Sequence, residues 1–128
     1  MSGLGARKME FERTKVIKVR TARLDDIYPH DRQLRFMKID VEGTEYFVLK
    51  GAVETIRRTR PHIVFEHVKG GADVFGVAPG DVCDFLSTEC DLRVSTPSGF
   101  LDGGRPLERG SFTAAYDQGL EYVFLAHP

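Results

Sequence analysis

Residues 36–45 read Phe36-Met37-Lys38-Ile39-Asp40-Val41-Glu42-Gly43-Thr44-Glu45, and residues 61–67 read Pro61-His62-Ile63-Val64-Phe65-Glu66-His67. Phe36 to Val41 is a compact apolar segment interrupted only by Lys38 and Asp40, and its length suits a buried strand better than a helix. It stops at Glu42-Gly43, where the glycine lets the chain turn sharply. Thr44 can cap a helix, and Glu45 falls in the acidic first turn that a helix dipole favours. Val48, Leu49, Ala52, Val53 and Ile56 then recur at steps of three and four, the spacing of one helix face. Arg57, Arg58 and Arg60 suit the negative end of that helix, and Pro61 stops it. His62 to His67 follows as a second short strand. A strand, a helix and a strand with tight connections predict a right-handed crossover between two parallel strands.

Upstream of this unit, Thr14 to Arg20 (Thr-Lys-Val-Ile-Lys-Val-Arg) reads as a half-exposed strand, and Leu24 to Tyr28 as a helical turn closed by Pro29. Residues 1–13 are expected to be a flexible N-terminal segment. Downstream, Gly70-Gly71 opens a loop that runs through Pro79-Gly80. Val82, Phe85 and Leu86 mark a short helix starting near Asp81. Leu92 to Ser95 and Phe100 to Leu101 flank Thr96-Pro97-Ser98-Gly99, which predicts a hairpin. Residues 105–118 show no clear period and read as loop, and Tyr122 to Ala126 closes the chain as a buried strand. The expected architecture is α/β, with a mostly parallel sheet and an antiparallel strand pair toward the C-terminus.

Composition narrows the function classes. The 128 residues make one domain of ordinary globular composition, 41% hydrophobic and 29% charged. With 18 Lys and Arg against 19 Asp and Glu, the net charge of -1 gives no global attraction to nucleic acid or an anionic membrane. Residues 1–35 hold nine cations against five anions, but Lys15, Lys18 and Arg20 alternate with Val16, Ile17 and Val19 as on a solvated strand face, with no aromatic or Gly-rich signature beside them. No apolar run approaches the roughly 18 residues of a membrane span, and the start lacks a secretory stretch. Cys83 and Cys90 are too few for a disulfide scaffold, so free thiols and a cytoplasmic setting are expected.

The chemistry concentrates at the ends of the two strands. Asp40 and Glu42 would project to one side if the first strand runs that far, with Glu45 close behind. Ligands of open α/β sheets bind just outside the carboxyl ends of strands. Carboxylates there can act as a general base, hold a divalent cation or accept hydrogen bonds from a polar substrate. Equally, they can satisfy backbone N–H groups at a helix start. Glu66 and His67 end the second strand and would stand on the same rim, while His67 can also be a plain strand-end histidine. His62 and His67 point to opposite faces, which disfavours a shared metal, and no metal ligands are assigned. Gly3-Leu4-Gly5 and Gly103-Gly104 lack the strand-turn-helix setting of a nucleotide loop, and no serine stands in a G-x-S-x-G context.

The run Lys38-Ile39-Asp40-Val41-Glu42-Gly43-Thr44-Glu45, followed by Leu49-Lys50-Gly51-Ala52, resembles the hallmark of the FkbM family of S-adenosylmethionine-dependent methyltransferases. Arg60-Pro61-His62-Ile63-Val64-Phe65-Glu66, the lead-in Thr21-Ala22-Arg23-Leu24-Asp25-Asp26 and the closing Val123-Phe124-Leu125-Ala126 are similar to further family segments, so the resemblance covers about residues 16–128. It implies a Rossmann-like methyltransferase fold and methyl transfer from S-adenosylmethionine to an oxygen of a small-molecule, sugar or lipid-linked acceptor. It also implies that residues 14–128 are the C-terminal half of the domain, with the Gly-rich cofactor loop falling before residue 1. The expected catalytic residues are Asp40, Glu42, Glu66 and His67. Asp40 would orient or deprotonate the acceptor hydroxyl, and Glu42, Glu66 and His67 would shape the pocket or bind a metal. The alternatives are an inactive remnant serving as a binding or self-association module, and an acidic rim holding a divalent cation for other chemistry. The open edge of the first strand invites a second copy or a complementing chain.

Overall fold

A computed structural model describes residues 14–128; the segment 1–13, expected to be flexible, lies outside them. The chain runs through α1 (Leu24–Ile27), β1 (Phe36–Ile39), α2 (Glu45–Lys50), α3 (Val53–Thr59) and β2 (His62–Glu66). A 3-10 helix (Ala72–Phe75), α4 (Pro79–Asp84) and a wide π turn (Phe85–Glu89) follow, and β3 (Arg93–Ser95), α5 (Pro97–Leu101), α6 (Arg109–Asp117) and β4 (Val123–His127) complete it. The predicted crossover is present: β1 and β2 pair in parallel from Phe36↔His62 to Ile39↔Phe65.

The four strands lie in the order β1-β2-β4-β3, with β4 antiparallel to both of its neighbours. β3 therefore runs in the direction of β1 and β2, but only one of the three pairings is parallel. The sheet is mixed, not mostly parallel, because α6 returns the chain so that β4 slots between β2 and β3. The expected hairpin around residues 96–99 is absent. Thr96 Oγ1 accepts a hydrogen bond from Gly99 N (3.0 Å) and Pro97 opens α5, so helix capping wins over a turn. Residues 105–118, expected as loop, contain α6, whose Phe112, Ala115 and Tyr116 form a narrow buried stripe. Thr14 to Arg20, expected as a strand, belongs to no element.

Alternation along β2 fixes two faces. Ile63 and Phe65 are fully buried in a core with Leu49, Ile56, Leu86 and Phe124, whereas His62, Val64 and Glu66 on the other face are half-buried. α5 covers that second face at one end, where Phe100 packs on His62 and His127.

The single helix expected between β1 and β2 is two, broken at Gly51-Ala52, and Asp25 of α1 holds the break. Its backbone N–H donates to Gly51 O (2.9 Å), and its buried carboxylate accepts from Glu54 N (3.0 Å) and Thr55 N (2.9 Å). Asp25 thereby caps a helix that starts nearly thirty residues later and has no capping side chain of its own. We expect Asp25→Ala to cost about 2 kcal/mol in urea unfolding, since it leaves two helix-start N–H groups without their charged acceptor. Asp26→Ala, which removes only the exposed pair with Arg23, should move the midpoint far less.

Candidate functional site

β1 ends at Ile39, so Asp40 is the first residue beyond it and the chain turns through Val41 to Thr44 before α2. Glu42 and Gly43 both take positive φ, +54° and +101°. A Cβ on Gly43 would sit 2.6 Å from the carbonyl carbon of Gly71, in the loop after β2. The segments that follow the two parallel strands are therefore in direct backbone contact, which only glycine permits.

That contact gathers acidic groups. Glu45, only 4% exposed, turns back from the start of α2 so that its Oε1 accepts from Val41 N (3.1 Å). Thr44 provides no side-chain cap for α2; its hydroxyl instead donates to Val41 O (3.0 Å), closing the turn from the other side. Glu66 projects from the end of β2 into the same region. Its carboxyl is pushed above the ordinary glutamate value, first by partial burial and then by repulsion from Asp40, Glu42 and Glu45, with hydrogen bonding to Asp40 acting in the same direction. Ionised Glu66 therefore works against folding, and that stability returns as pH falls toward the ordinary glutamate range. Glu42, Glu45 and Glu66 line a cleft of about 120 Å³ whose far wall is Val68 to Ala72, with Lys69 as its cation. Lys38 Nζ stands 3.8 Å from Asp40 Oδ2, an exposed and weak pairing. Among the described residues, no three His, Cys, Asp or Glu side chains gather closely enough to hold a metal ion.

Of the four residues expected to act together, Glu42 and Glu66 line the cleft, Glu42 from a turn and not from the strand, while Asp40, just past β1, stands outside the lining but close enough to act on Glu66. His67 does not join them. It is 2% exposed on the core side, its ring stacked on Phe112 and beside Tyr116 of α6, and its Nε2 donates to Pro79 O (3.3 Å). Burial pushes the imidazole below the ordinary histidine value, outweighing the Pro79 carbonyl and the nearby Glu45 and Asp73. His67 packs in the core against a helix the sequence did not reveal. Glu45 carries more of the site than its position in a first helical turn suggested, because it is buried and repels Glu66.

A second groove, larger and shallower at about 730 Å³, lies on the other side of the Glu42–Glu45 turn between Thr21–Ile27 and Thr44–Gly51. Phe47 and Val48 make its surface largely apolar, and its two charged side chains, Arg23 and Asp26, are paired with each other (3.0 Å). Reactive groups therefore crowd the acidic cleft and not this groove.

A family model described as the methyltransferase FkbM domain matches residues 2–94. The match contains the acidic cleft, the Gly43–Gly71 contact and Asp25, and stops before α5, α6 and β4. Neither the curated proteins nor the solved structures contain a match to the chain.

If the glycine contact builds the cleft, Gly43→Ala should destabilise the fold by about 1 to 3 kcal/mol, as overpacking against backbone does. Gly70→Ala meets no atom within 4 Å and should cost less, so the difference in thermal midpoint between the two variants isolates the contact from the shared cost of positive φ.

Proposed function

The chain belongs to the methyltransferase FkbM domain family, and we propose that it serves methyl transfer from S-adenosylmethionine to an oxygen atom of a small-molecule, sugar or lipid-linked acceptor. In this reading the described residues supply the acceptor side of the reaction. The observation that carries it is the convergence of Asp40, Glu42, Glu45 and Glu66 near the ends of two parallel strands, with Glu66 pushed up first by burial and then by its acidic neighbours.

The acidic cleft alone does not accommodate the cofactor, whereas the groove of about 730 Å³ between Thr21–Ile27 and Thr44–Gly51 lies within the range of small-molecule sites. The acidic cleft is smaller than the roughly 300 to 1,000 Å³ of typical small-molecule sites. Among the described residues, no glycine-rich turn leads from a strand into a helix in the way that cradles a nucleotide. Bound, the cofactor would supply the electrophilic methyl group.

What the chain's own groups do is proton chemistry on the acceptor. An alcohol becomes a competent nucleophile as its O–H proton leaves, and a carboxylate within hydrogen-bond reach can take that proton. Glu66 suits this role because it lines the cleft and because burial, and then repulsion from its acidic neighbours, raise its carboxyl above the ordinary glutamate value. Asp40, exposed and beside Lys38, orients the hydroxyl and holds the repulsion on Glu66. Glu42 and Glu45 add to that repulsion, and Glu45 is too buried to touch the acceptor. Both cysteines are free and buried, which suits the reducing, cytoplasmic setting included in this reading. Among the described residues no helix is long and apolar enough to cross a membrane.

The test is a methyl-transfer assay with S-adenosylmethionine against a panel of hydroxylated acceptors, paired with calorimetric titration of S-adenosylmethionine and S-adenosylhomocysteine. Glu66→Gln should lower turnover by about 10² to 10⁴-fold, the usual contribution of a positioned base, and Asp40→Asn should lower it less. Cofactor affinity should be unchanged in both. Undiminished turnover by Glu66→Gln would remove Glu66 from the mechanism, and absence of any methyl transfer by the folded chain would remove the activity.

A further inference from the structure

Tyr116 of α6 is 3% exposed, and its hydroxyl is buried with no hydrogen-bond partner among the described residues. Buried hydroxyls are nearly always bonded, so an orphan of this kind points to a partner engaged elsewhere. The Tyr116 ring lies beside His67 (4.6 Å between centroids), whose Nε2 is taken by Pro79 O. Burial, then Asp73 and then Asp117, push the Tyr116 hydroxyl above the ordinary tyrosine value. Asp73 stands near enough to act on it, yet its Oδ1 accepts from Gly70 N (2.8 Å) and no bond to Tyr116 is made.

Gly70 belongs to the acidic cleft, which it lines together with Glu42, Glu45, Glu66 and Lys69. The three glutamates accept hydrogen bonds and repel anions, so the cleft suits a neutral ligand rich in hydroxyl groups. Such a ligand also needs donors for its own oxygens, and Lys69 is the cation of the lining. The Gly70 N–H is a second donor on the same wall, once Asp73 leaves it. Gly70 takes a positive φ of +83°, and nothing lies within 4 Å of where a Cβ would stand, so this peptide has room to turn.

We propose that Asp73 is a two-position switch that fits the cleft to a polyol such as a sugar, an inference that rests on reading this cleft as the acceptor site. One hydroxyl of the ligand faces Glu66, and a neighbouring oxygen accepts from Gly70 N–H. Asp73 exchanges Gly70 N–H for the Tyr116 hydroxyl, which donates to it. Entry of the ligand thereby satisfies the buried hydroxyl that is left open without it. Asp73 and Tyr116 are positioning residues, and neither touches the reacting oxygen.

The test needs no cofactor. The full chain is titrated by NMR with glycerol, which carries adjacent hydroxyls, and with 1-propanol, which has the same number of carbons and a single hydroxyl. Glycerol should move the Gly70 amide and 1-propanol should not. Tyr116→Phe should weaken glycerol binding by about tenfold, the worth of a hydrogen bond to a charged group. The same variant should leave the urea midpoint of the ligand-free chain unchanged or higher, because the hydroxyl it removes has no partner there. A purely structural role for that hydroxyl would give the reverse pattern. In an Asp73→Ala background, Tyr116→Phe should no longer alter glycerol affinity. A Gly70 amide that glycerol leaves unmoved, equal glycerol affinity in the parent and Tyr116→Phe, or a lowered midpoint for Tyr116→Phe would each overturn the proposal. Methyl transfer is read separately: the expected glycerol response without turnover removes the methyl-transfer reading and keeps the switch, and turnover with an unmoved Gly70 amide does the opposite.

Discussion

Gly43 and Gly71 press the chain leaving β1 against the chain leaving β2 with no side chain between them, and the arrangement of the rim follows from that contact. Glu45 is drawn inward and satisfied by Val41 N–H, while Glu66 keeps a foothold at the strand end, where three other carboxylates act on it. Glu42, with φ of +54°, occupies a conformation that costs a residue bearing a Cβ about 1 to 2 kcal/mol. Strain of this kind and crowded like charges both oppose folding, and both sit at the place where chemistry is proposed. The hydrophobic core behind β2 offsets them.

The rim is aimed by the helices as well as by the strands. α2 lasts only from Glu45 to Lys50 before Asp25 clamps the break at Gly51 and caps the start of α3. An uninterrupted helix would carry Ile56 and Leu49 on one straight stripe. With the helix broken there, Leu49 and Ile56 are both fully buried and Glu45 lines the cleft. Asp25 thus links the lead-in segment to the acidic turn through the helix pair, and Gly43 links that turn to the loop after β2.

Much of this could be read from residue order. Phe36 to Val41 and His62 to His67 are short apolar runs bounded by Gly43 and Pro61, and a helical period separates them, so the parallel pair and its acidic rim were visible. What stayed hidden depends on partners distant in the chain. The place of β4 between β2 and β3 is a tertiary choice that local pattern does not encode. α6 escaped because only Phe112, Ala115 and Tyr116 carry its stripe among polar neighbours, and without α6 nothing marked His67 as a buried stacking residue. Thr96-Pro97-Ser98-Gly99 suits a turn and a capped helix start equally well, and packing of Phe100 on His62 and His127 decides for the helix. Thr14 to Arg20 has strand composition and, among the described residues, no partner strand.

A side-chain NMR titration of the Glu66 carboxyl, in the parent chain and in Asp40→Asn, bears most directly on whether crowding at the rim makes Glu66 a base. The Glu66 midpoint should lie above the ordinary glutamate value and fall when Asp40 loses its charge, because repulsion from Asp40 is among the causes that raise it. An ordinary glutamate midpoint that Asp40→Asn leaves unmoved would contradict the reading, since the carboxylates would then share a rim without acting on one another.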